Sequence, residues 1–250
     1  MRVERISRFP VKGLSPEYLD EVTLTAGEGL PHDRRFAFAQ ADSPFDEAAP
    51  KWLPKRNFAC LMANARVARV RAAYDPATNT LRLRAEGRPA LAADLGEPAQ
   101  RQAAADWMTA FMGEEARGAM RLAEVPGHAF TDIPDKAVSI IGLASVASLS
   151  ETVGMALDPL RFRANILFSG APPFEELGWV GREALLGKAR LRVFKRTQRC
   201  AATEVNPETA ERDAKPPKAL LRAHGHADMG IYATVLEGGR VAVGDALELT

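Results

Sequence analysis

Apolar and polar residues alternate along several stretches of the first hundred residues, which is the pattern of strands with one buried face. The alternation predicts strands over 21–25, 34–39, 65–74 and 80–87. Two glycines and a proline mark 26–33 as a loop. Asp75, Pro76 and Asn79 are turn formers, so the stretch 65–87 is a predicted hairpin.

The hydrophobic period changes over residues 97–113. Ala103, Trp107 and Phe111 recur at every fourth position, and Gly113 is placed to end a helix. We predict a helix here and place the domain boundary at its start. The N-terminal β module then covers 1–96 and the second domain covers 97–250.

The rest of the chain mixes helix and strand patterns. Helices are predicted over 142–154 and 216–225, and a third from Asp158, where Pro159 suits a first turn. A strand is predicted over 190–194, and Gly238 and Gly239 predict a two-residue hairpin turn within 231–249. Strands with a few inserted helices predict an α+β fold rich in β-barrel structure.

Charge excludes several classes of protein. Lys and Arg number 33 against 32 Asp and Glu, so no global charge favours nucleic acid or an anionic membrane surface. The longest mostly apolar stretch, 137–149, is too short to span a bilayer, and the charged N-terminal stretch lacks a signal-peptide core. We therefore expect a cytoplasmic protein that binds neither nucleic acid nor membrane.

The chain has two cysteines, too few for a disulfide framework. Cys60 has apolar neighbours and is predicted to lie in the core. Cys200 follows Arg199, and a neighbouring cation favours the thiolate, which is nucleophilic and binds metals. Packing and chemistry both remain open for Cys200 at this point. A Cys-His hydrolase also remains open, and the candidate bases are His32, His128, His224 and His226.

Basic residues stand at loops and strand ends, without the spacing of salt bridges. Arg161, Arg163 and Asn165 fall on one face of a stretch that we predict to be extended. Forked donors in such a row suit a phosphate or another polyanion. The glycine motifs of nucleotide-binding loops and the paired ligands of zinc sites are absent. The other basic positions are Lys12, Arg34, Arg35, Arg196 and Arg199.

These stretches together resemble the MOSC (molybdenum cofactor sulfurase C-terminal) domain. The motifs are SVASL, RFRANI, RCAATEVNPET and GIYATVLEGGRVAVGD, in that order. Residues 6–38 resemble the N-terminal β-barrel module that precedes it. The order and spacing are similar to those of the mitochondrial amidoxime-reducing component family and its bacterial relatives. The resemblance implies a MOSC β-barrel preceded by a smaller N-terminal β-barrel-like module.

The resemblance also implies a molybdenum cofactor, a molybdopterin that carries the metal. Cys200 would be the metal ligand and the catalytic residue, its sulfur kept as thiolate by Arg199 and the metal. Ser145 can also be interpreted as a hydroxyl at the start of a helix. His128 lies where relatives have a histidine near the site. The implied cofactor contacts are Lys12, Arg34, Ser145, Arg161, Arg163, Asn165, Arg199 and Thr203, the last shaping the loop.

The motif departs from the family pattern at two positions. Relatives usually read Val-Asp-Pro-x-Thr-Gly, whereas this chain has Asn206 and Ala210 at the second and sixth positions. Asn is a competent turn former, so we expect the fold to persist. Loss of the glycine removes easy access to positive φ.

The function implied by the resemblance is the reduction of N-hydroxylated compounds, such as amidoximes or N-hydroxylated nucleobases. The chain has no cysteine cluster for an iron–sulfur module. Electrons are therefore expected from a separate protein, such as a ferredoxin, a flavodoxin or a cytochrome b5-like protein with its reductase. Two alternatives remain: a sulfur carrier or sulfurtransferase that uses a Cys200 persulfide, and a non-enzymatic carrier of the molybdenum cofactor.

Overall fold

A computed structural model describes residues 1–250, which form fifteen strands, three α-helices and several short 3-10 turns. The helices are α1 (Pro98–Met112), α2 (Leu143–Val153) and α3 (Pro216–His224). The strands are β1 (Arg2–Arg8), β2 (Glu17–Leu19), β3 (Glu21–Leu24), β4 (Phe36–Ala39), β5 (Arg71–Asp75), β6 (Thr80–Arg84), β7 (Leu91–Asp94), β8 (Arg121–Glu124), β9 (Val138–Gly142), β10 (Ile166–Ser169), β11 (Glu183–Leu186), β12 (Ala189–Gln198), β13 (Asp228–Glu237), β14 (Gly239–Ala242) and β15 (Leu247–Leu249).

An eight-stranded sheet dominates the fold, in the order β15-β11-β12-β13-β9-β10-β1-β2. Its strands are antiparallel except for the parallel pair β9 and β10. Alternate residues of β12, among them Leu191 and Val193, point into a core of 20 buried side chains. The sheet-rich α+β fold predicted from the sequence is confirmed.

Strands from the two halves of the chain pair with each other. The N-terminal strand β1 pairs with β10, β3 pairs with β14, and β4 pairs with β8. A second core of 24 buried side chains joins the β5-β6-β7 sheet to α1, where the rings of Trp107 and Phe111 are stacked. Helix α1 therefore packs on strands that precede it, and the domain boundary at 96/97 stays a prediction.

The predicted helices are confirmed at 97–113, 142–154 and 216–225, and each ends at a glycine with positive φ. The helix expected from Asp158 is a single 3-10 turn, Pro159–Phe162. Residues 65–69 also form a 3-10 turn, so the first strand of the predicted hairpin is β5 alone.

The hairpin predicted at Gly238 and Gly239 is wrong. Strand β13 has β12 on one edge and β9 on the other, so β14 pairs with β3 instead. The two glycines allow a close crossing: a Cβ on Gly239 would lie 2.2 Å from Lys188 O, and one on Gly238 would lie 2.6 Å from Leu24 O. None of the three helices has the length and apolarity needed to cross a membrane.

Candidate functional site

A cavity of about 310 Å³ opens between the N-terminal and C-terminal halves. Both cysteines line it, together with three acidic and eight basic side chains. Such an excess of cations indicates an anionic ligand. The basic residues are Lys12, Arg34, Lys55, Arg161, Arg163, Lys195, Arg196 and Arg199.

Cys200 lies just beyond the end of β12, at the start of the 3-10 turn Ala201–Glu204. Its thiol is free and its side chain is half-buried. Thr203 is buried, and its backbone N and Oγ1 donate to Cys200 O over 3.0 and 2.9 Å. Thr203 therefore closes the loop behind Cys200 and leaves the sulfur facing the cavity.

Arg161 holds the loop that follows Cys200. Its Nη1 donates to Glu204 O over 3.0 Å, and its Nη2 donates to Asp213 Oδ1 over 2.6 Å. Asn206 Nδ2 donates to the other carboxylate oxygen of Asp213 over 2.7 Å. The Nε of Arg161 is buried without a partner.

Arg34 and Arg163 meet around the ring of Phe9. Their guanidinium carbons lie 4.5 and 4.1 Å from its centroid, and both residues have positive φ, 47° and 51°. Arg34 Nη2 donates to Arg163 O over 2.9 Å, and Arg163 Nη1 donates to Leu14 O over 2.6 Å. Because of the 3-10 turn and the left-handed residue, Arg161, Arg163 and Asn165 do not form the extended row that the sequence predicted.

Burial, followed by repulsion from Arg34, lowers the pKa of Arg163 to about 9, so this side chain is still a cation at neutral pH. Its Nη2 is buried and makes no hydrogen bond. Asp33 is the anionic partner of Arg34, so Arg163 is the guanidinium of this pair that has a donor left for an anionic ligand.

Arg199 makes no hydrogen bond to the sulfur beside it in sequence, because its guanidinium donates to backbone carbonyl groups. Its Nε donates to Met229 O over 2.7 Å and its Nη1 to Phe162 O over 2.9 Å. Burial lowers its pKa to about 10. Gly230 makes room for this arrangement, since a Cβ there would lie 3.0 Å from Arg199 Nη2 and 2.7 Å from Ile140 O.

The cation at the sulfur is Lys55, which the sequence analysis missed. Lys55 Nζ lies 3.4 Å from Cys200 Sγ and 3.1 Å from Asp132 Oδ2. Lys12 is buried, and its Nζ donates to the other oxygen of Asp132 over 2.9 Å and to Phe130 O over 2.8 Å. The series Lys12, Asp132, Lys55 and Cys200 therefore connects the two halves of the chain across the cavity.

The charges of this series stabilise one another. Burial alone would lower the pKa of Lys55, but attraction to Asp132 and Cys200 outweighs it and raises that pKa. Burial likewise opposes ionisation of Asp132, but Lys12 and Lys55 hold the pKa of its carboxyl far below the ordinary value. Burial lowers the pKa of Lys12, against the attraction of Asp132.

Ser145 does not line the cavity. It is fully buried, its Oγ lies 2.9 Å from both carboxylate oxygens of Glu176, and it accepts from Phe174 N over 2.8 Å. Asn165 lines the cavity, but its side chain is used internally: Oδ1 accepts from Ser139 Oγ over 2.7 Å and Nδ2 donates to Ser7 O over 3.2 Å.

Cys60 is buried, as predicted, yet it lines the same cavity as Cys200. Burial raises the pKa of its thiol. His128 lies outside the cavity and packs on Phe45 and Phe130 beside a neighbouring cavity of about 420 Å³ that His32 also lines. His224 and His226 lie next to each other, away from both cavities.

Three residues that line the Cys200 cavity each carry a polar atom that is buried without a hydrogen-bond partner: Arg161 Nε, Arg163 Nη2 and Thr197 Oγ1. A buried donor without a partner is costly unless a ligand accepts its hydrogen bond. No three His, Cys, Asp or Glu side chains are placed to hold a metal together. The donor set fits an anionic organic ligand whose metal is bound by one thiolate.

Comparison with known proteins gives two family matches that cover nearly the whole chain. The family described as "MOSC N-terminal beta barrel domain" matches residues 1–120, and the family described as "MOSC domain" matches residues 125–248.

Curated relatives align over part of the chain. Mitochondrial amidoxime reducing component 2 of Bos taurus is 31% identical over 120 residues, which are 43% of this chain and 35% of that protein. Molybdenum cofactor sulfurase of Drosophila ananassae is 27% identical over 139 residues, which are 52% of this chain and 17% of that protein. These alignments therefore span about a third or less of the length of each relative.

Among solved structures, the YuaD protein from Bacillus subtilis aligns over 99% of this chain and 94% of its own. The TM-score is 0.47 and the sequence identity is 15%.

Proposed function

The chain belongs to the MOSC family, with a MOSC N-terminal beta barrel domain followed by a MOSC domain, and from this premise we propose that it is a molybdenum-cofactor-binding oxidoreductase. Its proposed reaction is the reduction of N-hydroxylated compounds, amidoximes or N-hydroxylated nucleobases. The observation that carries the proposal is the cationic cavity, which the free thiol of Cys200 lines together with two arginines that each have an unpaired buried donor.

The residues fit the cofactor by charge and by ligand type. A thiolate is a soft ligand suited to a heavy metal, and Cys200 is the half-exposed thiol of the cavity. Anionic oxygens of the pterin's phosphate would accept hydrogen bonds from Arg163 Nη2 and Arg161 Nε, which have no protein partners. When bound, the cofactor supplies the two-electron chemistry that the side chains of this protein lack.

The chain's own residues would bind the cofactor and orient it. Cys200 would fix the metal, and Arg161 and Thr203 hold the loop that presents its sulfur. Arg34 and Arg163 would hold the anionic part of the cofactor from opposite halves of the chain. The overall reaction takes two electrons and two protons, converts the N–OH group to N–H and releases water. The electrons are proposed to come from a separate donor protein.

The test uses protein purified from a host that makes the molybdenum cofactor. Chemically reduced protein is incubated with benzamidoxime, and formation of benzamidine is measured by chromatography. We expect turnover that a Cys200→Ala variant lacks. A cofactor-loaded protein that reduces neither amidoximes nor N-hydroxylated nucleobases would refute the reductase and leave the cofactor carrier.

A second candidate is sulfur transfer through a Cys200 persulfide, which the similarity to a molybdenum cofactor sulfurase favours. A half-exposed thiol beside the ammonium of Lys55 is suited to carry a second sulfur atom. Intact-mass measurement separates the two functions. A labile gain of one sulfur atom on Cys200, without bound pterin, supports sulfur transfer through a persulfide. Bound pterin without that gain supports the reductase.

A further inference from the structure

Lys55 is the only basic residue of the cavity that makes a hydrogen bond to the Cys200 sulfur. It lies in a 3-10 turn, Lys55–Asn57, within the irregular segment between β4 and β5. Its side chain is 23% exposed, so its ammonium is reached from the cavity rather than surrounded by bulk water. The cation that is hydrogen-bonded to the sulfur therefore comes from the N-terminal half of the chain.

The ammonium of Lys55 is held in place by the protein. Asp132 Oδ2 accepts one N–H over 3.1 Å, and Asp132 is itself fixed by Lys12. Gly13, with φ +82°, lets this part of the chain approach the segment that precedes Cys60, since a Cβ there would lie 2.9 Å from Ala59 O. Lys55 is therefore a positioned cation, whose side-chain entropy is already lost.

One donor of Lys55 is unused. An ammonium has three N–H groups, and Lys55 donates to two partners, Asp132 and Cys200. The nitrogen that carries the remaining N–H lies 3.4 Å from the sulfur, and Lys55 lines the same strongly cationic cavity as Cys200. An anionic group that bonds to Cys200 would be within reach of that donor.

We propose that Lys55 is a positioning residue that selects an anionic partner for the sulfur of Cys200. Its charge, held 3.4 Å from the sulfur, attracts an anionic group to it. Where the anionic group is the molybdenum cofactor, the inference rests on the proposed function. The preference of the Cys200 sulfur for an anionic partner does not depend on the cofactor.

The test compares two reagents that differ in charge, on cofactor-free protein with Cys60→Ala as background. Thiolate attack on an alkyl methanethiosulfonate forms a mixed disulfide and releases methanesulfinate. Rates are measured for the sulfonatoethyl reagent, an anion, and the trimethylammonioethyl reagent, a cation. The ratio of the two rates, divided by the same ratio for a free thiol, cancels the intrinsic reactivity of both the thiolate and the reagents.

We expect a normalised ratio above one that falls about tenfold in Lys55→Met, because one unit charge within contact distance of the sulfur is removed. Lys55→Arg should restore most of the ratio. The matched control is Lys51→Met, an exposed lysine of the same segment without an ion pair. A ratio that is equal in Lys55→Met and in the background protein overturns the proposal. If Lys55→Met does not fold, Lys55→Gln takes its place, with the same fall in the ratio expected and an unchanged ratio again overturning the proposal.

The cofactor arm separates this inference from the proposed function. Pterin retained after dialysis is measured in protein from the cofactor-producing host, and we expect Lys55→Met to retain several-fold less than Lys51→Met. A protein that never carries pterin but shows the charge-dependent ratio supports Lys55 and refutes the reductase. A loaded protein without that ratio supports cofactor binding and refutes the role of Lys55.

Discussion

The guanidinium of Arg161 and the carboxylate of Asp213 meet over 2.6 Å, although 52 residues separate them in the chain. The side chain of Arg161 is 2% exposed and that of Asp213 is 25% exposed. This pair closes the loop that begins at Cys200. The position of the sulfur therefore depends on a contact made at the far end of that loop.

Replacement of Asp213 by alanine should therefore destabilise the protein by about 3 kcal/mol, because it leaves a buried guanidinium without its anion. Urea unfolding measures the loss. The matched control is Glu208→Ala, an exposed carboxylate of the same loop without an ion pair. Equal stabilities of the two variants would show that the buried pair has no anchoring role.

Ala210 adopts a left-handed conformation with φ 61°. A residue with a Cβ pays about 1–2 kcal/mol for this conformation, and glycine pays a smaller entropic cost. We expect Ala210→Gly to stabilise the protein by about 0.5–1 kcal/mol, as seen in the midpoint of urea unfolding. The control is Ala147→Gly inside helix α2, which should destabilise by about 1 kcal/mol. A loss of stability in both variants would contradict the conformational argument.

Ala210 also shows how far a local pattern predicts structure. The sequence motif indicated that a glycine position was filled by alanine, and the loop keeps its positive φ at that position. The helices were predictable for the same reason, since period, first-turn prolines and terminal glycines are all local signals. The pairing of β14 with β3 was not predictable, because it depends on the fact that both edges of β13 are already occupied by other strands.

Lys55 was beyond sequence analysis for a similar reason. It lies 145 residues before Cys200, in a segment without periodicity, and only the fold brings the two together. Arg199 was an obvious neighbour in sequence, but its donors are taken by two backbone carbonyl groups. The assignment of Ser145 as a cofactor contact followed from the resemblance alone. Its buried partner Glu176 lies 31 residues further along the chain.

Ser145→Ala should leave the pterin content unchanged, because Ser145 does not line the cavity. It should reduce stability by about 2 kcal/mol, since Glu176 and Phe174 N each lose a buried hydrogen-bond partner. Pterin fluorescence after oxidation and urea unfolding report the two effects separately. Loss of pterin at unchanged stability would support the cofactor contact implied by the resemblance.

Glu176 makes stability depend on pH. Burial raises its pKa above the ordinary value of 4.5, and its hydrogen bonds offset this only in part. A raised pKa in the folded state stabilises the fold below 4.5, and this contribution is lost as the pH rises through the folded-state value. The stability of Glu176→Gln relative to the unsubstituted protein should therefore increase from pH 4.5 to pH 8, by about 1.4 kcal/mol for each pKa unit of the shift.

Urea unfolding at several pH values checks this prediction. Glu175→Gln is the matched control, because Glu175 is the exposed neighbour of Glu176. Its difference from the unsubstituted protein should stay constant with pH. A constant difference for Glu176→Gln as well would mean that the buried carboxyl does not titrate differently in the folded state.

The most direct test of the central claim is the molybdenum and pterin content of three proteins purified side by side from a cofactor-producing host. These are the unsubstituted chain, Cys200→Ser and Cys60→Ala, both cysteines being residues of the same cavity. We predict about one molybdenum per chain in the unsubstituted protein and in Cys60→Ala, and less than about a tenth of that in Cys200→Ser, because the oxygen ligand replaces the soft thiolate. Equal molybdenum in all three proteins would contradict the assignment of Cys200 as the metal ligand.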